Sequence, residues 1–351
     1  MSGSRVAVLT PYGPGRPGGG VEVFNQCLAR ALGPIEIFAD SRGNGDARGT
    51  DLRRVGLEQP VAAVRAARTL LRRHREAPFD VIISNGVSGW PLTLSNPGVP
   101  LIQVYHFTMA GLARQALSLR GDRVTTGRVT AMFDRLAGMG KHVVAVSHRV
   151  LHEVESFYRL KGRFIPNAVD IDAFHPSESR RAREALGLPL ETPIGIFVGR
   201  PDHSKGYDIL LRVADQLPEV LFLVAGGPAE VRKNVRSLGR IAHPELPDWY
   251  AASDFFFLPS RYEGFSLSLL EALACDLPAV VSDAACPFPD GLGPCGIAVP
   301  GAQAEDFARA IRRVLAARAE FAPRDFILPR YNFDVFRHRW RGLVGSLVGG
   351  G

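Results

Sequence analysis

Short β-branched runs alternate along the chain with amphipathic or loop stretches. In the first half, Val6–Thr10, Ile35–Ala39, Val81–Ser84, Leu101–Tyr105 and Val143–Ser147 read as strands. The segment Pro166–Pro176 (PNAVDIDAFHP) breaks the pattern with two prolines and several polar turn formers, so it reads as a linker. A second series follows it, with strands expected at Ile194–Val198, Val220–Ala225, Asp254–Leu258 and Ala279–Ser282. Strands separated by helical segments build parallel sheets covered by helices. The expected class is therefore α/β, with two doubly wound Rossmann-like domains in tandem, residues 1–170 and 171–330. A ligand cleft is expected where the carboxyl ends of their strands face each other. A chain of 351 residues agrees with that domain count at about 150 residues per domain, and no internal repeat suggests a solenoid.

One helical stretch, Val61–Glu76, carries Arg65, Arg68, Arg72 and Arg75 on one face, opposite Ala63, Ala67 and Leu70. Its basic stripe suits either a solvated domain surface or peripheral contact with anionic lipid. The whole chain shares this asymmetry. Lys plus Arg number 22 against 14 Asp plus Glu in residues 1–175, and 20 against 21 in residues 176–351, so the halves carry +8 and −1. A basic amino-terminal half implies an anionic partner such as a phosphate or an anionic lipid. Nucleic acid is the weaker reading and no nucleic-acid partner is expected, since the arginines lack interleaved aromatics and no helix-turn-helix or zinc pattern occurs.

Composition places the chain among packed globular proteins, with 46% hydrophobic and 22% charged residues. The apolar run after Arg5 ends at Pro11, too short for a signal or spanning segment. Cys27, Cys275, Cys286 and Cys295 are scattered and form no C-x-x-C pair, as expected for reduced thiols in a cytoplasmic protein. The expected localisation is cytoplasmic, with a peripheral position at the inner membrane surface if the basic face binds lipid.

The densest chemistry lies in Pro259–Asp283 (PSRYEGFSLSLLEALACDLPAVVSD). A strand ends at Leu258, a loop carries Glu263 and Gly264, and a helix is expected from about Ser266 to Cys275. The amides of Gly264, Phe265 and Ser266 would then converge at a helix start, a place suited to phosphate. Glu271 follows Glu263 by eight residues, about 12 Å at the helical rise. That is too far for both carboxylates to act on one bond, as in a glycosidase. The pair suits instead the two ends of an extended ligand, one gripped by sugar hydroxyls and the other by ribose hydroxyls.

The string E-G-F-S-L-S-L-L-E-A-L-A, Glu263 to Ala274, resembles the E-x7-E signature of retaining glycosyltransferases of the GT-B fold in the family 4 group. Four companions occur in the matching order: GGVE at Gly19–Glu22, VAVSH at Val144–His148, IPNAVD at Ile165–Asp170 and GRPDHSKG at Gly199–Gly206. Five ordered motifs are far more specific than one. The resemblance implies transfer of a hexose-type sugar from a nucleotide diphosphate sugar, a UDP-sugar for preference, to a small-molecule or lipid-linked acceptor. It implies no cofactor and no metal. Arg200 and Lys205 would hold the diphosphate, because charge grows on it as it leaves. Glu263 would contact the donor sugar, Gly264, Phe265 and Ser266 the sugar or phosphate, and Glu271 the ribose. Gly19 and Gly20 would let the backbone approach the phosphates, and His106, after a strand, would stand near the donor sugar. His148 is a weaker candidate, since Ser147 and His148 also suit a helix start. A carboxy-terminal helix near Asn332–Val348 would cross back to the first domain.

Three departures from the family pattern stand out. Asp276 replaces the usual glycine after the E-x7-E helix, Pro228–Arg240 is shorter than usual, and Ala284–Gly296 replaces the usual I-P-E loop. Competing readings share the architecture, namely a nucleotide-sugar epimerase or phosphorylase, or an NAD-dependent enzyme. The last rests on a literal G-x-G-x-x-G at Gly13–Gly18 with Asp40 about 25 residues on. Pro14 and Pro17 weigh against it, because they remove donors from a loop meant to cradle pyrophosphate.

Overall fold

A computed structural model describes residues 4–11, 19–39, 57–117, 124–228 and 232–349. The chain divides into two compact units, Met1–Asn167 with Phe336–Gly351, and Ala168–Val335. The division falls inside the proline-bounded segment that breaks the strand pattern.

The first unit is built on six parallel strands, β1 (Val6–Leu9), β2 (Ile35–Phe38), β3 (Val81–Asn85), β4 (Leu101–Tyr105), β5 (His142–Ala145) and β6 (Gly162–Phe164). Their order is β2-β1-β3-β4-β5-β6, with Val6 opposite both Ile35 and Val81. β1 (VAVL) is apolar along its length, whereas β3 and β4 also bury Ser84, Asn85 and Gln103, with Ser84 Oγ donating to Gln103 Oε1 at 2.6 Å. Helices α1 (Gly20–Leu32), α2 (Glu58–Glu76), α3 (Met109–Gln115), α4 (Ala131–Gly138) and α5 (His148–Tyr158) lie between them. On α2, Ala63, Ala66, Ala67 and Leu70 are buried, while Arg65, Arg68, Arg72 and Arg75 are exposed. Ser147 caps α5, its Oγ accepting from Val150 N at 3.1 Å, and His148 lies against Phe164 at 4.1 Å.

The second unit repeats the plan with β7 (Ile194–Val198), β8 (Leu221–Ala225), β9 (Val235–Gly239), β10 (Phe255–Leu258), β11 (Ala279–Ser282) and β12 (Gly296–Val299). The order is β12-β11-β10-β7-β8-β9, again all parallel. Its helices are α6 (Ser179–Ala185), α7 (Tyr207–Gln216), α8 (Leu246–Ala251), α9 (Leu267–Ala274), α10 (Ala304–Ala316) and α11 (Pro323–Tyr331). A last helix, α12 (Phe333–Val348), begins in the second unit and from Phe336 onward belongs to the first. There Trp340 is wholly buried with its ring 5.8 Å from Phe24, and Arg341 Nε donates to Ala31 O at 2.7 Å.

Three strands, β6, β9 and β12, carry no clear sequence pattern, and all three are sheet edges. An edge strand is covered on one side only and tolerates Gly and polar residues, as in GRF, VRSLG and GIAV. Asp276 keeps the turn that the family makes with glycine. It adopts the left-handed conformation itself, at φ 60°, which short polar side chains reach more readily than others. Its Oδ1 accepts from Arg324 N at 3.2 Å, near the start of α11, a bond that glycine could not make.

Candidate functional site

In the second sheet the strand order turns back between β7 and β10: β8 and β9 extend one way, β11 and β12 the other. The loops leaving the carboxyl ends of β7 and β10 part there, and such a switch point is where doubly wound sheets bind ligands. The loop after β7 supplies Lys205, and the loop after β10 supplies Glu263. Lys205 Nζ donates to Glu263 Oε1 at 2.5 Å, and Ser260 Oγ donates to the same oxygen at 2.9 Å. The two side chains are 25% and 10% exposed, so the ion pair is largely enclosed yet still reachable. Glu263 N donates to Ala284 O at 3.2 Å, which fixes the backbone beneath the carboxylate.

The two loops are bound to each other. Asp202 Oδ1 accepts from Ser204 Oγ at 2.6 Å and from Lys205 N at 3.1 Å, forming a side-chain turn just before the lysine. Arg261 N donates to Ser204 O at 2.9 Å, and the Arg261 guanidinium grips both Asp208 oxygens at 2.6 and 2.7 Å. Burial alone would raise the Asp208 carboxyl, but the bonds and charge of Arg261, with Arg212 and His203, hold it below its ordinary value. Gly206 closes the first loop at φ +71°, where a Cβ would lie 2.0 Å from Pro259 O.

Beside the pair, Ser266 caps α9, its Oγ accepting from Leu269 N at 3.3 Å. Among the described residues, the amides of Gly264, Phe265 and Ser266 donate to no backbone carbonyl. The helix begins only at Leu267, so Glu263 stands in the loop. A continuous helical rise does not describe the spacing from Glu263 to Glu271, which corrects the expectation of about 12 Å. Glu271 itself is buried on α9. Its Oε1 meets His243 Nε2 at 2.8 Å, and its Oε2 accepts from Tyr250 OH at 3.0 Å. The bond to Glu271 raises His243 above the ordinary imidazole value. Burial, then Glu271, pushes the Tyr250 hydroxyl well up and Cys275 to about 12.

Not every expected residue joins this cluster. Arg200 is 74% exposed and pairs with Asp202 at 3.4 Å rather than with Lys205 or Glu263. In the first unit, Gly19 precedes α1 in extended conformation, and both Gly19 and Gly20 are exposed with open space around Gly19. His106 follows β4, its ring 4.6 Å from Phe24, with Nε2 2.9 Å from Asn85 Oδ1. Asn85 Nδ2 in turn donates to Asn25 Oδ1 at 3.2 Å, so Asn85 presents its oxygen to His106 and Nε2 carries the proton. The Gly13–Gly18 string and Asp40 lie outside the described residues.

Burial lowers the His106 pKa from 6.5 to about 4. Because the folded value lies below the unfolded one, the stability gained by keeping this ring neutral is present above pH 6.5 and lost as pH falls toward 4. A proton NMR titration of the imidazole is expected to show a midpoint near 4; a midpoint at 6.5 or above would place the ring in water.

Sequence reasoning missed Asp202, Ser260, His243 and Tyr250. Only the first two carried a local signal, as a short polar side chain within a loop next to an expected ligand. Among the described residues, no helix is long and apolar enough to cross a membrane, and no group of three His, Cys, Asp or Glu is placed to hold a metal.

Two doubly wound units, one with a Lys–Glu pair at its switch point, place a candidate ligand site at the carboxyl ends of β7 and β10. The comparisons narrow its chemistry. Residues 3–173 match the model described as Glycosyltransferase Family 4, and residues 192–317 that of Glycosyl transferases group 1. The chain is 31% identical over 345 residues to D-inositol 3-phosphate glycosyltransferase of Xylanimonas cellulosilytica, covering 80% of each chain. It is 32% identical over 279 residues to D-inositol 3-phosphate glycosyltransferase 2 of Catenulispora acidiphila, covering 70% of this chain and 64% of that relative. Its fold matches sucrose-phosphate synthase of Thermosynechococcus elongatus at TM-score 0.82 and 21% identity, over 99% of this chain and 100% of that one. It also matches Anabaena HepE, solved with UDP and glucose, at TM-score 0.73 and 18% identity, over 98% and 100%. The chain belongs to glycosyltransferase family 4, the retaining E-x7-E group with the GT-B fold. It is a glycosyltransferase, and the epimerase, phosphorylase and nicotinamide-enzyme readings are not favoured.

Proposed function

We propose that this chain moves a hexose from a UDP-sugar to an anionic, hydroxylated acceptor, with retention at the anomeric carbon and without a metal. The observation that carries the reading is the Lys205–Glu263 pair beside the unengaged Gly264–Ser266 amides. A cation beside three loop amides that donate to no backbone carbonyl suits a departing diphosphate. In the reaction the bond from C1 to the phosphate oxygen breaks, and C1 bonds to the acceptor oxygen on the same face. The acceptor's proton passes to the phosphate oxygen that leaves. Lys205 neutralises the leaving group, Glu263 holds the sugar hydroxyls, Glu271 takes the ribose, and Arg200, exposed beside Asp202, adds a second cation to the diphosphate. His106, neutral at working pH, is the candidate hydrogen-bond partner for the donor sugar, with Gly19 and Gly20 approaching the phosphates.

Two features support the donor and acceptor classes. HepE was solved with UDP, with UDP and glucose, and with UDP-glucose. The two relatives named for D-inositol 3-phosphate imply a phosphorylated polyol acceptor, and the +8 amino-terminal half suits such an anion. A lipid-linked acceptor, met through the exposed arginines of α2, is the second reading; its mark would be salt-sensitive co-sedimentation with anionic vesicles.

The test is a screen of UDP-, GDP- and dTDP-sugars for thermal stabilisation and slow hydrolysis. A UDP-sugar at about 100 times its Kd is expected to stabilise by about 2.7 kcal/mol, and NMR of the product should show the donor's anomeric configuration. Stabilisation by GDP- or dTDP-sugars alone would overturn the donor. An inverted product, or strict dependence on a divalent cation, would overturn the route.

A further inference from the structure

His243 has no role in any motif of the chain, yet it holds one oxygen of the carboxylate assigned to the ribose. We propose that His243 is a positioning residue for the nucleotide, which with Tyr250 fixes the Glu271 carboxylate so that it meets both hydroxyls of the donor ribose. The inference rests on the reading of Glu271 as the ribose carboxylate.

The geometry is specific. An ionised carboxylate offers about four lone-pair sites on two oxygens. Tyr250 OH lies 3.0 Å from Oε2 and 3.3 Å from Ser268 O, and its single proton goes to the nearer, charged oxygen, while His243 Nε2 donates to Oε1 at 2.8 Å. One site remains on each oxygen, and a vicinal diol has two donors to fill them. Tyr250 is buried on α8, and its raised pKa keeps it a donor. The other anchor differs. His243 begins the 3-10 turn His243–Glu245 just before α8, and its side chain is about half exposed. Its ring is 5.2 Å from Phe174, which in turn lies 6.1 Å from Tyr250. The imidazole is therefore partly in solvent while the Glu271 side chain it holds is only 8% exposed, and Phe174 packs beside the ring. Without the imidazole, Oε1 loses the His243 bond and the carboxylate is held less firmly, through the Tyr250 bond to Oε2. The ribose would then have to order a carboxylate that is ordered beforehand in the wild type, which weakens binding without touching the reacting carbon.

The experiment compares wild type, His243→Ala and His243→Gln for binding of a nucleoside diphosphate and its 2′-deoxy counterpart by calorimetry. UDP is used first, replaced by whichever nucleoside diphosphate stabilises the wild type most. His243→Ala is expected to weaken the ribonucleotide about tenfold and the deoxynucleotide less than threefold. His243→Gln, whose amide N–H reaches the place of Nε2, should recover the ribonucleotide to within about threefold. With the full donor, His243→Ala should raise KM and leave kcat within about twofold. Equal weakening of both nucleotides, or no recovery by Gln, overturns the proposal, because a merely structural role would not distinguish one hydroxyl. Glu271→Gln separates this failure from that of the ribose reading. If it keeps the wild-type preference for the ribonucleotide, the ribose assignment itself falls; if it abolishes the preference while His243→Ala leaves it intact, only His243 is excluded. Should Glu271→Gln not fold, Tyr250→Phe removes the other donor and is expected to show the same ribose-selective loss.

Discussion

Lys205→Ala is expected to lower kcat by about 10²–10³ while the protein stays folded. On the proposed mechanism the ammonium does two things in turn. Before the donor binds, it neutralises Glu263, which is only 10% exposed and, among the described side chains, otherwise bonded to Ser260. As the glycosidic bond breaks, negative charge grows on the diphosphate, and a fixed cation stabilises that state more than the ground state. The loss should therefore fall on kcat rather than on KM. Stability should fall too, by about 1–3 kcal/mol, because a largely buried carboxylate loses its partner. Glu271→Ala provides the contrast, since a ribose contact is alike in ground and transition states and its loss should raise KM more than it lowers kcat. Steady-state kinetics on the donor found by the screen, with a melting curve for each variant, decide the matter. Wild-type kcat in Lys205→Ala would sink the diphosphate assignment and the mechanism with it.

What could be read ahead of the structure follows from where the physical constraint is local. Strands β7, β8 and β10 are apolar and almost wholly buried, and their sequences say so. Edges β6, β9 and β12 need no such pattern and were silent. The helix after Glu263 was legible from Ser266, whose hydroxyl caps it within a few residues. Contacts across distant elements were not. Glu271 bonds His243 and Tyr250, 28 and 21 residues upstream, and nothing near either residue announces the meeting. Asp134 is likewise a plain helix aspartate in sequence. The fold buries it against Tyr158 OH at 2.7 Å and Met109 N at 3.0 Å, and burial pushes its carboxyl up to about 7. Arg183, equally ordinary on α6, turns inward to pair with Asp254 at 2.7 Å. Lys205 and Glu263 were named by motif, but their contact depends on β7 and β10 being neighbours, which only the sheet order decides.

That dependence on two loops meeting makes Gly206 the most sensitive backbone position near the site. Gly206→Ala is expected to destabilise the protein by about 3 kcal/mol or more and to lower kcat/KM by at least about 10². Gly206 sits at φ +71° and ψ 28°, a left-handed conformation that costs an alanine roughly 1–2 kcal/mol. A second cost is steric: the new Cβ would lie 2.0 Å from Pro259 O and 2.7 Å from Pro259 C. Both are backbone atoms of the loop that carries Ser260 and Glu263, so no side chain can swing aside and one loop must shift. Gly206 O also accepts from Ile209 N at 2.9 Å and Leu210 N at 3.0 Å, and any shift pulls on the first turn of α7. Lys205, the next residue, moves away from Glu263 with it. Gly187→Ala isolates the conformational part, since Gly187 also has positive φ, at +62°, but open space around it. That variant should lose about 1 kcal/mol and keep its activity. Denaturant unfolding and kcat/KM measured on both variants separate strain from displacement. If Gly206→Ala behaved like Gly187→Ala in both, the close approach of the two loops would not be what holds the lysine in place.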